Sequence, residues 1–318
     1  MGRKIRGVKA HSFYHTYQRA VSRSVIYYSV ADRLVHLTII STMARKYGIK
    51  ISAIAFMFDH LHKQVYIDDP LAFKKFENES TSLFVREYNE DTGRTGRLWD
   101  RLGKAPKKGP KKTKTNINYI ANNHVERKLC KRVEDARWNL LAYYKTSHPF
   151  SSKIALSTAS RHMRRAVAEV KSFHQKNKWL NYKELHRLFD GLRTIERGQL
   201  TDYIIYLYNP LDFDLLTSLY GNYDTMLVAM NSNTGNEYDL DEEFSPWPDT
   251  AYVEMINVIS KLRPGRPVKE VLRLSTTEKL ELSRILLEMT SASEEQIQKM
   301  LWKMDGIEND RGGFSLDL

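Results

Sequence analysis

Residues 49–68 constrain the fold more than any other part of the sequence. The segment consists of two short apolar runs, IKISAIAFMF at 49–58 and HLHKQVYID at 60–68, separated by Asp59. Each run has the length and the β-branched and aromatic content of a strand, and both are shorter than a typical buried helix. The sequence therefore predicts two consecutive strands with a kink at Asp59.

Helical and strand-like segments alternate around this pair. HSFYHTYQRAV at 11–21 alternates aromatic and polar residues like a strand, whereas 31–47 and 70–90 carry apolar residues at helical spacing. A short strand is predicted at 96–103 and a helix at 115–130. This order predicts an α+β fold, in which an antiparallel sheet carries helices on one face.

The net charge of +12 is concentrated in the first half of the chain. Residues 1–148 contain 29 Lys and Arg against 13 Asp and Glu, a net charge of +16, whereas residues 149–318 contain 21 against 25, a net charge of −4. A positive field of this size attracts polyanions, and nucleic acid is the first candidate. KAPKKGPKKTK at 104–114 is predicted to be a mobile loop, either a solvated linker or a phosphate contact.

The second half of the chain is predicted to be helical. A Ser- and Thr-rich linker at 145–160 separates a domain at 1–148 from a region at 149–318 with helical periodicity. Within that region, Ser275-x-x-Glu278 and Ser293-x-x-Gln296 match the capping box that begins a helix. The helix pair at 275–303 has the size of a helix-turn-helix, a pattern that any helical hairpin shares.

Membrane and disulfide classes are disfavoured. No run reaches the ~18 apolar residues of a membrane span, and Cys130 is the single cysteine, so no intrachain disulfide can form. The basic N-terminus lacks the apolar core of a secretory signal. These features predict a cytoplasmic protein in a reducing compartment, with no membrane partner.

Four residues carry candidate chemistry. His60 and His62 are two apart in a predicted strand and point to the same side, where two imidazoles can share a metal ion or form a structural pair. Tyr119 and Asn123 are four apart in a predicted helix and share one face of it. A tyrosine can be a covalent nucleophile and an amide oxygen a metal ligand, although Tyr119 alone would fit any amphipathic helix. Together, the four residues would assemble a phosphoryl-transfer site.

Three segments resemble the single-tyrosine HUH transposases, and most closely their REP-associated tyrosine transposase branch. FMFDHLHKQVYI resembles the His-hydrophobic-His strand of the family, FVREYNEDTGRTGRLW its helix and following strand, and INYIANNHVERKLC its tyrosine helix. The resemblance covers roughly residues 8–145. The sequence departs from the family pattern at His124, where the family commonly has a proline. The resemblance implies the ferredoxin- or RRM-like fold of an HUH nuclease for residues 1–148.

The resemblance also implies a reaction. Tyr119 would be the nucleophile, and His60, His62 and Asn123 would hold Mg²⁺ or Mn²⁺, although this donor set would also accept Zn²⁺. The substrate would be single-stranded DNA beside a hairpin, cleaved to a 5′-phosphotyrosine and a free 3′-OH for DNA transposition and recombination. DNA contacts are expected, with less support, from the following residues: Arg86, Asn89, Arg94, Arg97, Lys104, Lys107, Lys108, Lys111 and Lys112.

Several properties stay open at this point. The resemblance implies a bacterial, nucleoid-associated protein, either monomeric or a homodimer, with its active site built within one chain or between two. Two other functions fit the same residues: a DNA-binding regulator that keeps the fold without cleavage, and a metal-dependent hydrolase that uses water, with Tyr119 structural. A covalent protein–DNA adduct would distinguish the transposase-like enzyme from both.

Overall fold

The computed structural model describes residues 7–232 and 248–302, and within these ranges it contains four strands and eleven α-helices. The first six residues of the basic N-terminus lie outside the described residues. No described helix is both long enough and apolar enough to cross a membrane.

A four-stranded antiparallel sheet forms the centre of the first half. Its strands are β1 (Ser12–Arg19), β2 (Lys50–Phe56), β3 (His60–Ile67) and β4 (Gly103–Lys107). They are ordered β2-β3-β1-β4, so that β1 and β3 are the central strands. The two strands predicted from residues 49–68 are therefore the β2–β3 hairpin, with Asp59 in its turn.

Two long helices follow signals in the sequence. Helix α1 (Val30–Tyr47) begins with a capping box formed by Ser29 and Asp32 and ends at Gly48, which adopts the left-handed conformation. Helix α2 (Pro70–Thr92) has proline in its first turn, where the missing N–H costs no hydrogen bond, and ends at Gly93. Both helices agree with the predicted segments to within two residues.

Helix α3 (Gly109–Glu126) lies on the opposite face of the sheet from α1 and α2. On β3, Lys63 points towards α2, where its Nζ lies 2.7 Å from Oε2 of Glu77. The next residue, Gln64, accepts a hydrogen bond from Asn116 of α3. Because neighbouring side chains of a strand point to opposite faces, the helices cover both sides of the sheet. The prediction of helices on one face is wrong. Polar residues such as Lys63 and Gln64 suggested a solvent-exposed face of β3, but both are buried under helices.

The lysine-rich segment at 104–114 is ordered, and the prediction of a mobile loop is wrong. Its first residues form β4 at the edge of the sheet, and Gly109 and Pro110 begin α3. Lysine is common on edge strands because it discourages pairing with another chain. The strand predicted at 96–103 is reduced to an isolated bridge between Trp99 and Ala20.

The described part of the second half is helical, as predicted. Three short 3₁₀ turns within 133–144 lead to the remaining helices. The helices are α4 (Arg161–Gln175), α5 (Tyr182–Phe189), α6 (Thr194–Leu207), α7 (Phe213–Tyr220), α8 (Tyr223–Asn231), α9 (Thr250–Leu262), α10 (Thr276–Met289) and α11 (Glu294–Leu301).

These helices make buried contacts with the first half of the chain. The Tyr28 hydroxyl donates to the carbonyl of Met300 at 2.6 Å, and the Asn122 side chain donates to the carbonyl of Met230 at 2.8 Å. Lys269 is 8% exposed, and its Nζ lies 2.6 Å from Oδ1 of Asp32 in α1. Polar groups of both halves therefore depend on each other for their hydrogen bonds.

The helix pair α10–α11 has both predicted capping boxes. However, α11 packs its apolar side into the protein and buries Ile297, Met300 and Leu301. Its exposed residues include Glu294 and Glu295, and negative charge disfavours contact with phosphates. The predicted DNA-reading role of 275–303 stays a prediction without support from this surface, and residue 303 lies outside the described residues.

Candidate active site

Two central strands bring a row of polar side chains to the face beneath α3. The register of β1 and β3 places Arg19 opposite His60, Tyr17 opposite His62 and His15 opposite Gln64. Residues directly opposite each other in an antiparallel pair point to the same face. The imidazoles of His60 and His62 therefore share this face, with their ring centroids 4.9 Å apart.

Helix α3 brings Tyr119 over this row. Its ring centroid lies 5.8 Å from that of His62 and 6.0 Å from that of His15. Asn123 follows one turn later and donates its amide nitrogen to the carbonyl of Tyr119 at 3.0 Å. This bond uses the nitrogen, so Oδ1 is the atom of Asn123 that would act as a ligand. Four residues predicted from sequence therefore lie on one strand and one facing helix.

Each histidine of the pair is held through its Nδ1 atom. Nδ1 of His60 lies 2.5 Å from Oδ1 of Asp59, and Nδ1 of His62 lies 2.9 Å from Nε2 of His15. Metal-binding histidines in proteins are commonly oriented in this way, by a second group on the nitrogen that does not bind the ion. If the pair held a metal ion, Nε2 would be the nitrogen of each ring that is not engaged by Asp59 or His15.

The two imidazoles and the Asn123 amide would form a donor set of mixed nitrogen and oxygen ligands. Within the described parts of the chain, no group of three His, Cys, Asp or Glu side chains is placed to hold a metal ion. The third donor would therefore be the amide oxygen of Asn123, a type of ligand that Mg²⁺ and Mn²⁺ accept.

Burial favours the neutral imidazole at His62 and at His15. It lowers the pKa of His62 well below its ordinary value, assisted by the charges of His60 and His15. Burial and the charge of Lys107 lower the pKa of His15 to about 3. A neutral imidazole is the form that binds a metal ion. Burial would raise the pKa of Asp59, but the neighbouring His60, Arg19 and Lys299 bring it below its ordinary value, so the carboxylate stays ionised.

The residues predicted to contact DNA fall into two separate groups. Arg86 and Asn89 lie near the end of α2, which packs on the sheet face opposite the histidines, and Arg94 and Arg97 follow in the next loop. Asn89 donates to the carbonyl of Gly96 at 2.7 Å and so supports this loop. The second group surrounds β4 and the start of α3: Lys104, Lys107, Lys108, Lys111 and Lys112.

The second group borders a basic cleft of about 1140 Å³. Lys9, Arg101, Lys104, Lys107 and Lys108 line it, and its lining contains no acidic residue among those that the structure describes. Phe13 and Tyr66 form part of its wall, with ring centroids 4.9 Å apart.

The basic cleft lies in line with the histidines. In the register of β1 and β3, the pair Phe13–Tyr66 is the next on the same face after His15–Gln64. The ring pair in the wall of the basic cleft therefore continues the row of the histidines along the sheet.

Sequence reasoning missed three residues of this arrangement. His15 contacts His62, Asp59 contacts His60, and Asn116 reaches Gln64. Asp59 could have been found, since it directly precedes the His-x-His motif. His15 and Asn116 could not, because their roles depend on the pairing of β1 with β3 and on the position of α3.

Comparisons with known proteins give a distant similarity. No family model matches the chain, and no curated protein matches it. Among solved structures, the chain is similar to the "Structure of the REP associates tyrosine transposase bound to a REP hairpin", with 18% sequence identity and a TM-score of 0.36. The match covers 43% of this chain and 81% of that chain. A similarity at this TM-score carries no argument about the site.

Proposed function

We propose that the protein is a single-stranded DNA endonuclease and strand transferase with Tyr119 as its nucleophile. The observation that carries the proposal is the position of the Tyr119 ring, which lies beside both His62 and His15. The two predicted metal ligands on this surface, His60 and His62, are each contacted at Nδ1 by a neighbouring side chain. A phenol beside a two-histidine donor set is suited to covalent phosphoryl transfer.

In this proposal, His60, His62 and Asn123 hold a divalent ion. A bound Mg²⁺ or Mn²⁺ would polarise the scissile phosphate and offset the charge that develops on the leaving oxygen. Tyr119 attacks the phosphorus through its phenolic oxygen, and the bond from phosphorus to the 3′ oxygen breaks. Tyr119 gives up its phenolic proton, and the leaving 3′ oxygen gains one. The products are a 5′-phosphotyrosine and a 3′-OH, and attack by another 3′-OH reverses the step and joins strands.

The substrate proposed is single-stranded DNA that flanks a hairpin. The net charge of +16 in residues 1–148 favours binding to a polyanion. The Phe13–Tyr66 wall of the basic cleft continues the row of the histidines, and the cleft offers lysines for phosphates and two aromatic rings for bases. Such a combination of a positive groove and stacking rings is typical of sequence-tolerant binding to single strands.

A second candidate function is DNA binding without cleavage. It is favoured by the burial of the site, since Tyr119 is 7% exposed, His60 is 5% exposed and His62 is fully buried. A phosphodiester can reach Tyr119 only if part of the structure that covers it moves. A DNA-binding regulator would not require this movement.

The deciding experiment is the capture of a covalent adduct. Wild type and Tyr119→Phe are incubated with a 5′- and 3′-labelled hairpin oligonucleotide and Mn²⁺, and the products are separated on a denaturing gel. We expect an adduct for wild type and none for Tyr119→Phe, which loses only the hydroxyl. Tyr17→Phe, at the other tyrosine beside His62, is the matched control. Adduct formation by Tyr119→Phe would assign the nucleophile to another residue, and its absence in wild type would favour the regulator.

The metal-dependence has a separate test. Chelation by EDTA, or His60→Ala, is expected to abolish the adduct because each removes the ion or one of its ligands. Re-addition of Mg²⁺ or Mn²⁺ should restore wild type but not His60→Ala. Cleavage by wild type that survives thorough chelation would contradict a metal-dependent reaction.

A further inference from the structure

The contact between His15 and His62 restricts where each ring carries its proton. Nε2 of His15 lies 2.9 Å from Nδ1 of His62, and both side chains are fully buried. A neutral imidazole carries a single N–H, and only a neutral imidazole can bind a metal ion. One of the two facing nitrogens must therefore donate the hydrogen bond, and the other must accept it.

The two arrangements have opposite consequences for metal binding. If Nε2 of His15 donates, Nδ1 of His62 is the acceptor, and the proton of His62 sits on Nε2. That nitrogen then has no lone pair for an ion. If Nδ1 of His62 donates, its Nε2 carries the lone pair and can bind a metal ion. The direction of one buried hydrogen bond thus decides whether His62 is a ligand.

Asn116 selects between these arrangements. Its amide nitrogen donates to Oε1 of Gln64, which directs the carbonyl oxygen away from that bond. Oδ1 of Asn116 and Nδ1 of His15 are both buried, and neither makes a hydrogen bond to another described residue. Burial and Lys107 lower the pKa of His15, and the Asn116 side chain acts in the opposite direction. A proton on Nδ1 of His15 would match the Asn116 oxygen, and it would leave Nε2 as an acceptor.

We propose that His15 is a positioning residue that fixes His62 as its Nδ1–H tautomer, and that Asn116 fixes the tautomer of His15 in turn. In this arrangement His62 Nδ1 donates to His15 Nε2, the Nδ1–H of His15 is matched by the Asn116 oxygen, and Asn116 Nδ2 donates to Gln64 Oε1. The inference rests on the proposed function in one respect, since it gives Nε2 of His62 the role of a metal ligand. Asp59 accepts the Nδ1–H of His60 in the same way. In both His60 and His62, Nε2 is then the nitrogen with a lone pair for a metal ion.

The tautomers can be read directly, without DNA and without metal. ¹⁵N-labelled histidine side chains of the EDTA-treated full-length protein distinguish Nδ1–H from Nε2–H by their long-range ¹⁵N–¹H correlations, with signals assigned from His15→Gln and His62→Gln. We expect Nδ1–H tautomers for His15 and for His62. An Nε2–H tautomer of His62 in wild type would overturn the proposal. Because DNA is absent, this result is independent of whether Tyr119 forms a covalent adduct.

Metal affinity gives the second readout. Mn²⁺ binding to the DNA-free protein is measured by isothermal titration calorimetry for wild type, His15→Phe, His15→Gln and Asn116→Leu. Loss of the partner that orients a metal-binding histidine typically weakens metal affinity about 10- to 100-fold. We expect that loss for His15→Phe, a smaller one for Asn116→Leu, and partial recovery for His15→Gln, whose amide oxygen can accept from His62.

A folded His15→Phe variant with wild-type Mn²⁺ affinity would contradict the positioning role. Folding is checked by near-UV circular dichroism and by the unfolding midpoint of each variant. If His15→Phe fails to fold, the wild-type tautomers still decide the question. Failure of the proposed function looks different, because wild type would then bind no Mn²⁺ or form no adduct.

Discussion

Lys269 and Asp32, which are 237 residues apart in the sequence, form a buried ion pair in which Nζ lies 2.6 Å from Oδ1. Asp91 completes the cluster, with its Oδ2 2.5 Å from the same Nζ, and the Tyr182 ring lies 3.9 Å from it. Lys269 therefore offsets two carboxylates at once. This cluster joins α1 and α2 of the first half to the segment that precedes α10.

We predict that Lys269→Met strongly destabilises the protein. The change leaves Asp32, which is fully buried, without the charge that offsets it, and breaking a buried pair from one side typically costs about 3–5 kcal/mol. The measurement is urea unfolding at neutral pH, followed by circular dichroism. Lys46→Met is the matched control because its pair with Glu79 is half-exposed. An unfolding midpoint for Lys269→Met equal to that of the control would show that the cluster contributes little.

A fragment that ends at residue 148 is predicted not to fold on its own. Three contacts explain this. Asp32 would lose Lys269, the Tyr28 hydroxyl would lose the carbonyl of Met300, and Asn122 would lose the carbonyl of Met230. Buried polar groups without partners cost about 1–3 kcal/mol each, and charged groups cost more.

Cooperative urea unfolding of the purified fragment, compared with the full chain, is the measurement. A sharp transition with native-like near-UV circular dichroism would contradict the prediction and would identify residues 1–148 as an autonomous domain. In that case, the fragment could be tested for adduct formation and for its choice of hairpin.

Acid is expected to destabilise the protein because several histidines are buried in the neutral form. Burial, assisted by the charge of Arg33, lowers the pKa of His124 to about 3, compared with about 6.5 in an unfolded chain. The unfolded state therefore binds the proton first, so this contribution to stability is complete above pH 6.5 and is lost as the pH falls towards 3. At pH 5 the loss is about 2 kcal/mol for this residue.

His124→Gln tests this linkage. The variant should lose less stability than wild type between pH 7.5 and pH 5, by about 2 kcal/mol, as measured by urea unfolding at both pH values. His11→Gln, at an exposed histidine, is the control and should behave like wild type. A pH dependence of His124→Gln equal to that of wild type would show that His124 is not the source.

The parts of the fold that local sequence patterns determine could be predicted. The β2–β3 hairpin follows from two short apolar runs, and α1 follows from apolar spacing between Ser29 and Gly48. The spacing of two and of four residues also predicted that His60 and His62, and Tyr119 and Asn123, would each share a face.

Features that depend on distant parts of the chain could not be predicted. His15 meets His62 only because β1 pairs with β3 in one register, and a shift of one residue would turn His15 to the other face. The order of the lysine-rich segment comes from its pairing with β1, which overrides a composition typical of a loop. The ion pair of Lys269 with Asp32 forms because the two halves pack together. No local sequence pattern predicts this packing.

We expect lysines of the basic cleft to contact phosphates, whereas Arg86 at the end of α2 and Arg97 in the following loop should not. We predict that Lys104→Gln/Lys108→Gln weakens binding to single-stranded DNA and lowers the slope of log K against log salt by about 1.4, since each phosphate contact on a single strand contributes about 0.7. Arg86→Gln/Arg97→Gln is the matched control, with the same loss of two charges at residues that do not line the basic cleft. Fluorescence anisotropy over a range of NaCl concentrations measures both. Equal changes of slope in the two variants would mean that binding follows overall charge rather than the basic cleft.

Phe13 should also contribute to the affinity for single-stranded DNA, and its contribution should not depend on the salt concentration. Its ring lies in the wall of the basic cleft beside Tyr66, next in the row after His15. A base stacked on an aromatic side chain is worth about 1–3 kcal/mol, which corresponds to a loss of affinity between about 5-fold and 150-fold when the ring is removed. Phe13→Leu is therefore predicted to weaken binding by this factor and to leave the salt slope unchanged, because no charge is lost. Tyr206→Leu, at an exposed aromatic residue outside the basic cleft, should bind like wild type. If Phe13→Leu binds DNA as tightly as Tyr206→Leu does, the ring pair belongs to the core and the strand passes elsewhere.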